Sequence, residues 1–301
     1  MIRSAQARLP ICLVLLLPLL LAGCLTPSLS LNTPRFREVL LQGEGGDKML
    51  LIDIDGPITN QPLFVQGVGV IPGMAARVRQ ELELAYDDEN VRGILLRINS
   101  PGGTLTDSDV IYHSLMEFKR SKDVKIVASL GDIAASGGIY VAMAADEIYA
   151  HPTTLTGSIG VMLAHVEYSG LMDKLGVRSD PVVSGKHKDI ESPYRRRTEE
   201  EQQLLQQIID HQHEQFVRVI LAGRKKLTST DVRAFADGRL LSAEQARQVG
   251  LVDEIGYLDD AYKRLSQSSG FVRNRLVRYS NVWLTGSNIY SNAFPIELSP
   301  N

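Results

Sequence analysis

Cysteine is almost absent from the chain, and this limits its chemistry. The 301 residues include two cysteines, Cys12 and Cys24, and none follows residue 24. The body of the protein therefore holds neither an internal disulfide nor a cysteine metal site. The six histidines form no metal-ligand pattern such as His-Glu-x-x-His. We expect no metal and no cofactor.

An excess of positive charge is also lacking. The formal net charge is −3, with 44% apolar and 22% charged residues. Nucleic-acid-binding domains usually carry a strong basic field, so this balance predicts no nucleic-acid partner. The apolar content is ordinary for a globular protein, and the chain is long enough to bury a sizeable core.

Acidic residues are missing before Glu38, and the chain begins like a secretory signal peptide. Arg3 and Arg8 precede an apolar core at residues 9–22. This core is shorter than the roughly 20 residues that a helix needs to span a membrane. The core ends in the letters LAGC, with Cys24 last, which resembles the bacterial lipobox. In such precursors the cysteine becomes the first mature residue and carries lipid.

These features predict how the chain is located. Residues 1–23 are expected to be a lipoprotein signal peptide, and Cys24 the lipidation site. Several acyl chains on one cysteine give stable membrane attachment. We expect an exported protein, lipid-anchored in the bacterial cell envelope and facing the periplasm or the cell exterior, with inner or outer membrane left open. Residues 24–47, rich in Pro, Ser and Gly, predict a tether.

Strand-like and helix-like segments alternate between residues 48 and 270. The predicted strands are 48–54, 91–98, 124–129 and 147–149, and the predicted helices are 74–87, 105–120, 135–145 and 198–223. This alternation implies an α/β fold with a mainly parallel sheet and right-handed crossovers. Residues 271–301 have weak periodicity, and we assign this C-terminal extension no function.

Two glycine-rich turns follow predicted strands, Asn99–Gly103 and Gly131–Gly138. The second contains Ser136 and opens a predicted helix. A serine at a strand-to-helix junction is exposed at the edge of the sheet, beside unpaired backbone N–H groups that can stabilise an oxyanion. The residues alone also fit a tight helix entry that packs on the sheet and has no catalytic role.

A nucleophilic serine needs a base. The histidines offer no obvious Ser-His-Asp set, so a lysine is the alternative. A lysine has an ordinary pKa of about 10.4, and a base active near neutral pH needs a shift of roughly three units. Burial supplies shifts of that size, so a lysine base requires a desolvated site.

The chain from about residue 50 to 265 resembles the bacterial signal peptide peptidase A family, whose fold is crotonase-like or Clp-protease-like. The resemblance rests on four blocks in the family's order, with residues 238–254 similar in style. These blocks are Asn99–Gly103, Ala135–Gly138, Thr156–Gly160 and Ser184–Asp189. It implies that residues 48–270 are a peptidase domain of the short, single-unit form.

The resemblance also assigns roles to single residues. Ser136 matches the nucleophile, and Lys188 matches the general base. Ser158 matches the hydroxyl that hydrogen-bonds the lysine and orients it. Gly103 and Gly137 match the backbone donors of the oxyanion hole. The implied cycle is attack on a peptide carbonyl, an acyl-enzyme and hydrolysis.

Charged residues around Lys188 leave alternatives open. Lys186 is a rival base, two residues away, and two close lysines would lower each other's pKa. Asp189 would oppose that effect if its side chain turned inward. His187 is expected at the surface. The run Arg195–Arg197 is expected to be a solvated turn, with contact to a neighbouring subunit or anionic lipid as the alternative.

The family resemblance implies partners as well. Members assemble into homo-oligomeric rings or domes, and in the single-unit form the serine and lysine can come from neighbouring chains. Their substrates are cleaved signal peptides and other unfolded apolar peptides. Two other functions are considered: a catalytically silent envelope scaffold, and a crotonase-type acyl-CoA enzyme. The presence of Ser136, Lys188 and Ser158 opposes the scaffold, and the signal peptide opposes the cytosolic enzyme.

Overall fold

The computed structural model describes residues 36–65 and 69–280. The predicted signal peptide and Cys24 lie outside the described residues. None of the described helices is long and apolar enough to cross a membrane.

Strands and helices alternate along the described chain. The strands are β1 (Arg37–Gly43), β2 (Asp47–Asp55), β3 (Leu63–Val65), β4 (Gly69–Ile71), β5 (Val91–Ser100), β6 (Lys125–Ala135), β7 (Glu147–Ala150), β8 (Leu155–Gly157), β9 (Leu240–Ser242), β10 (Glu254–Ile255) and β11 (Asn274–Ser280). The helices are α1 (Met74–Asp87), α2 (Leu105–Lys122), α3 (Gly137–Ala142), α4 (Ser169–Leu175), α5 (Glu199–Gly223), α6 (Ser229–Arg233), α7 (Ala243–Gln248) and α8 (Leu258–Ser269).

One mixed sheet organises these elements. Its strand order is β1-β11-β2-β5-β6-β7-β10, with β8 beside the end of β6 and β9 beside β8. Along the main order the pairs are parallel except β1 with β11, which is antiparallel. The predicted α/β class with a mainly parallel sheet is confirmed. Strands β3 and β4 form a separate antiparallel hairpin.

Helices bury both faces of the sheet. Leu50 and Ile52 of β2 belong to the larger core, which includes side chains of α1, α2, α3 and α5. Met49 and Leu51 of the same strand face the other way, into a smaller core with Leu258 and other residues of α8. Successive residues of a strand point to opposite faces, and helices cover both faces of this sheet. Both sets of side chains are therefore apolar, and the strand contains a continuous apolar run.

The sheet extends beyond both predicted limits of the domain. Strand β1 lies within the predicted tether 24–47, and β11 lies within the predicted extension 271–301. In β11, Leu276 and Val277 are fully buried on opposite faces. In the sequence, the charged residue Arg278 interrupts this apolar pattern. In the fold, Arg278 forms an ion pair with Asp53 of β2 at 3.3 Å. The sheet of the described chain therefore includes residues 37–43 and 274–280, which lie outside the predicted limits 48 and 270.

Helix α5 begins where the sequence predicts. The Thr198 hydroxyl accepts a hydrogen bond from the Glu201 N–H at 3.2 Å, and the Glu201 carboxylate accepts one from the Thr198 N–H at 2.9 Å. This is the predicted capping box. The C-terminal half packs on α3, with the Phe216 ring 4.9 Å from that of Tyr140. Among residues 199–215 of α5, Glu201 alone is buried. The first half of α5 is therefore largely exposed.

Candidate active site

Ser136 lies between the last residue of β6 and the first residue of α3. Its backbone has φ 51° and ψ −120°, a conformation that residues with a Cβ atom rarely adopt. Two hydrogen bonds hold it there: its N–H donates to the Gly157 carbonyl at 2.9 Å, and its carbonyl accepts from the Tyr140 N–H at 3.0 Å. A strained strand-to-helix turn of this kind presents the serine hydroxyl at the edge of the sheet.

Ser158 follows β8 just as Ser136 follows β6. The two strands are parallel, and Ala135 lies opposite Gly157, so the two serines occupy the next position in register. Ser158 also has a φ of 51°. Neighbouring strands are about 4.8 Å apart. The structure therefore brings Ser136 and Ser158 side by side.

The turn after β5 presents the N–H of Gly103. Gly103 pairs with Ile58 as an isolated parallel bridge. In that bridge the Ile58 N–H donates to the Gly102 carbonyl at 2.9 Å, and the Thr104 N–H donates to the Ile58 carbonyl at 3.0 Å. The bridge is formed by the Gly102 carbonyl and the Thr104 N–H, on either side of Gly103. The N–H of Gly103 itself therefore points away from Ile58.

Gly137 supplies a second N–H beside the same turn. As the first residue of α3, it has no acceptor within the helix for its N–H. A Cβ atom placed on Gly137 would lie 3.3 Å from the Gly103 nitrogen. One placed on Gly102 would lie 2.7 Å from the Gly137 nitrogen and 2.8 Å from the Ser136 Cβ. The two N–H groups and the serine therefore lie next to one another, an arrangement that can stabilise an oxyanion.

Lys188 is not joined to this cluster by any contact in the described chain. Its side chain is exposed, and within residues 36–65 and 69–280 no hydrogen bond or ion pair links it to Ser136 or Ser158. Instead, its segment is tied to the first turn of α5. Asp189 and Glu201 are bridged by Arg195, at the end of α5 opposite to Phe216, which packs beside α3.

Lys186, the rival base, is occupied by an acidic partner. Its ammonium forms an exposed ion pair with Glu200. This pair holds the pKa of Glu200 below its ordinary value. His187 lies partly exposed, with Nε2 3.5 Å from Glu200 and Nδ1 3.7 Å from Glu201. Both residues therefore face the start of α5.

The comparison with protein families decides the classification. The model of peptidase family S49 matches residues 118–271, more than half of the chain. This chain belongs to peptidase family S49. The Clp protease family model matches residues 53–156, so the S49 chain also has the Clp-protease-like fold that the sequence predicts.

Several relatives of this S49 chain carry protease names. A protein of Enterococcus faecium, named as a signal peptide peptidase SppA, is 37% identical over 67% of this chain and 58% of its own. A protein of Methanocaldococcus jannaschii, named as a protease, is 35% identical over 78% of this chain and 75% of its own. The chain thus spans less than two thirds of the first relative. A mutant of ClpP1 from Listeria monocytogenes superposes with a TM-score of 0.44 at 18% identity, over 70% of this chain and 93% of its own.

The structure adds supporting residues that the sequence did not indicate. Ser108 of α2 is fully buried, and its hydroxyl occupies the space where a side chain at Gly137 would lie. Tyr140 of α3 donates a hydrogen bond to Asp109 of α2 at 2.5 Å. Burial and this bond raise the pKa of Tyr140 above its ordinary value. These contacts fix α3 against α2, and the amphipathic pattern of 105–120 alone does not identify them.

Exposed apolar side chains are frequent between residues 162 and 183, in the part of this S49 chain that precedes Lys188. Helix α4 has no buried residue, although it is flanked by apolar side chains. Met162 is 84% exposed and Leu175 69%. The exposed apolar side chains of this part of the chain are Met162, Leu163, Val166, Tyr168, Leu171, Leu175, Val177, Val182 and Val183. Large exposed apolar patches on a protein are typical of interaction sites.

Proposed function

We propose that this S49 chain is a serine endopeptidase with a Ser136–Lys188 dyad. The observation that carries the proposal is the strained Ser136 beside the N–H groups of Gly103 and Gly137, which donate no hydrogen bond within the described residues. Ser136 Oγ attacks the peptide carbonyl carbon, and its proton passes to Lys188 Nζ. The two N–H groups stabilise the resulting oxyanion. Ser158, beside Ser136, is the hydroxyl that orients the lysine.

The rest of the cycle returns the proton. When the tetrahedral intermediate collapses, the C–N bond breaks and Lys188 gives its proton to the departing amine. The neutral lysine then takes a proton from water, which attacks the acyl-enzyme. When the second intermediate collapses, the bond between the carbonyl carbon and Ser136 Oγ breaks, Lys188 returns its proton to Oγ, and the carboxyl product is released. No metal or cofactor takes part in this sequence of steps.

The lysine and the serine of one site come from neighbouring copies of the chain in a homo-oligomeric ring. Lys188 is exposed in the single chain, whereas a lysine base must be desolvated to be neutral near pH 7. The exposed apolar side chains around α4 support an oligomer, because their burial against a second copy would remove them from water. Assembly would then be a condition for activity.

The substrates in this proposal are unfolded apolar peptides, including cleaved signal peptides. The β3–β4 hairpin follows Ile58 in the chain, and Ile58 forms the bridge with Gly103. The hairpin has apolar side chains that are exposed to solvent. Leu63 is 62% exposed and Phe64 70%. Exposed apolar side chains of this kind suit the core of a signal peptide, which has 7–15 apolar residues.

Cys24 is proposed to hold the protein at the membrane of the bacterial envelope by lipid, facing the periplasm or cell exterior. The motif that ends the apolar core at residues 9–22 supports this placement. Mass spectrometry of the protein purified from membranes is expected to find acyl chains on Cys24 and none of residues 1–23. An unmodified Cys24, or a retained leader, would contradict the anchor.

The shared site can be tested with two inactive variants. Ser136→Ala and Lys188→Met are each expected to lose cleavage of a synthetic signal peptide. Co-expressed in equal amounts, they are expected to recover about a quarter of wild-type activity, because one site in four combines an intact serine with an intact lysine from its neighbour.

The control is the double variant Ser136→Ala/Lys188→Met co-expressed with Lys188→Met. This mixture contains no intact Lys188 and is expected to stay inactive. Full wild-type cleavage by Ser136→Ala alone would contradict the dyad. An inactive mixture of the two single variants would contradict the shared site.

A further inference from the structure

Arg195 binds two carboxylates that belong to different elements. Its Nε and Nη2 donate to the two oxygens of Asp189, each at 2.8 Å. Its Nη1 and Nη2 donate to the two oxygens of Glu201, at 2.8 and 2.6 Å. Asp189 directly follows Lys188, and Glu201 closes the capping box with Thr198. The guanidinium therefore fastens the Lys188 segment to the start of α5.

This geometry requires an arginine. A guanidinium presents its donors in a rigid fork that matches the two oxygens of a carboxylate, whereas a lysine ammonium is a point charge. The hydrogen bonds from Arg195 hold the pKa of Asp189 and that of Glu201 below their ordinary values. Both carboxylates are thus ionised, and both are engaged by Arg195, wherever a lysine base is active.

We propose that Arg195 is a positioning residue for the general base Lys188. It fixes the backbone of the lysine segment, and it engages the Asp189 carboxylate that would otherwise neighbour the Lys188 ammonium. The inference rests on the proposed function of Lys188. It replaces the predicted solvated turn at this position. Arg196 differs: its side chain is 81% exposed, and it lies 3.9 Å from Glu167.

The electrostatic consequence has a definite sign. An unengaged carboxylate beside a lysine stabilises the ammonium and raises the lysine pKa. Without Arg195, the ionised Asp189 would therefore lower the fraction of neutral Lys188 near pH 7. Raising the pH would restore that fraction, so the loss of activity should disappear in alkali.

Other charged groups lie on the same segment and on α5. Lys186 is paired with Glu200, and Arg197 with Glu191 at 2.8 Å. These pairs do not involve Arg195, so they are retained when Arg195 is replaced. The charged groups of this segment and of the first turn of α5 that pair with one another in the described chain are Lys186, His187, Asp189, Glu191, Arg195, Arg197, Glu200 and Glu201.

The test is the pH dependence of kcat/KM for Arg195→Met. The full-length protein in detergent cleaves an internally quenched apolar peptide, and the profile is compared with that of the wild type. The acidic limb is expected to move upward by about one pH unit, which is roughly a tenfold loss on that limb. Above the limb the two profiles are expected to converge. Arg196→Met is the matched control and is expected to keep the wild-type profile.

Two further variants separate charge from folding. Asp189→Asn leaves Arg195 bonded to Glu201 and is expected to move the limb to lower pH, because it removes a negative charge next to Lys188. If thermal melting shows that Arg195→Met does not fold, the pH profile of Asp189→Asn alone decides the inference. The double variant Asp189→Asn/Arg195→Met is expected to return the limb toward the wild-type position.

An Arg195→Met profile with the wild-type limb, at any height, would overturn the inference. So would an Asp189→Asn limb that stays in place or moves upward, or an Arg196→Met limb that shifts as far as that of Arg195→Met. Failure of the proposed function has a different signature. In that case the wild type itself leaves the peptide uncut, or Ser136→Ala cuts it at the wild-type rate.

Discussion

Ser136→Gly is expected to abolish peptide cleavage and yet to unfold at a higher temperature than Ser136→Ala. Both variants lack the nucleophilic hydroxyl. The difference between them is the Cβ atom, which is strained at φ 51° and ψ −120°. A residue held in such a region costs of order 1–3 kcal/mol, whereas glycine adopts it freely. Glycine also gains entropy in the unfolded chain, which offsets up to about 1 kcal/mol of that relief.

The net expectation is that Ser136→Gly is more stable than Ser136→Ala by about 1 kcal/mol, measured by thermal or denaturant unfolding. Ser136→Ala is the matched control, because it removes the same hydroxyl and keeps the strain. Cleavage by either variant at the wild-type rate would contradict the nucleophile. A glycine variant that unfolds before the alanine variant would contradict the account of strain at the site.

Gly137→Ala is expected to lower kcat by about 10²–10³-fold, the effect of losing one oxyanion donor. The added methyl group would lie 3.3 Å from the Gly103 nitrogen and would overlap the Ser108 hydroxyl. It would therefore displace α3 or occupy the space between the two donors. Steady-state kinetics with the same apolar peptide measures the loss, and KM is expected to change less than kcat.

Two controls accompany this substitution. Gly46→Ala adds a methyl group that has nothing within 4 Å, and it is expected to leave kcat unchanged. Gly137→Ala combined with Ser108→Gly removes the overlapping hydroxyl. If the double variant regains stability but not kcat, the methyl group blocks the oxyanion site itself. Wild-type kcat in Gly137→Ala would contradict the prediction that a methyl group at this position disturbs the oxyanion site.

Local signals in the sequence predicted the parts of the site that depend on neighbouring residues. The capping box of Thr198 and Glu201 lies within four residues, and α5 begins there. The position of Ser136 between a strand and a helix is also local, because it follows from the apolar run of β6 and the glycines after it. The family blocks then added Gly103 and Ser158 to the same edge of the sheet.

Features formed by distant residues were not predicted. Strand β1 pairs with β11 from the other end of the described chain, and no nearby residue marks either as part of the sheet. Three consecutive arginines indicated a solvated turn. Arg195 is instead engaged by Asp189 and Glu201, and both carboxylates reach it through the folding of the loop back onto α5. Such pairs depend on tertiary structure rather than on sequence pattern.

The most direct measurement of the Ser136–Lys188 dyad is covalent labelling of the full-length protein with a fluorophosphonate probe, followed by peptide mapping. The wild type is expected to carry one adduct, on Ser136, and Ser136→Ala none. Lys188→Met is expected to react at least about 100-fold more slowly, because proton transfer by a positioned base contributes 10²–10⁴-fold. Lys186→Met is the matched lysine control and is expected to react at the wild-type rate. An adduct on another serine, or a Lys188→Met variant that reacts as fast as the wild type, would contradict the dyad.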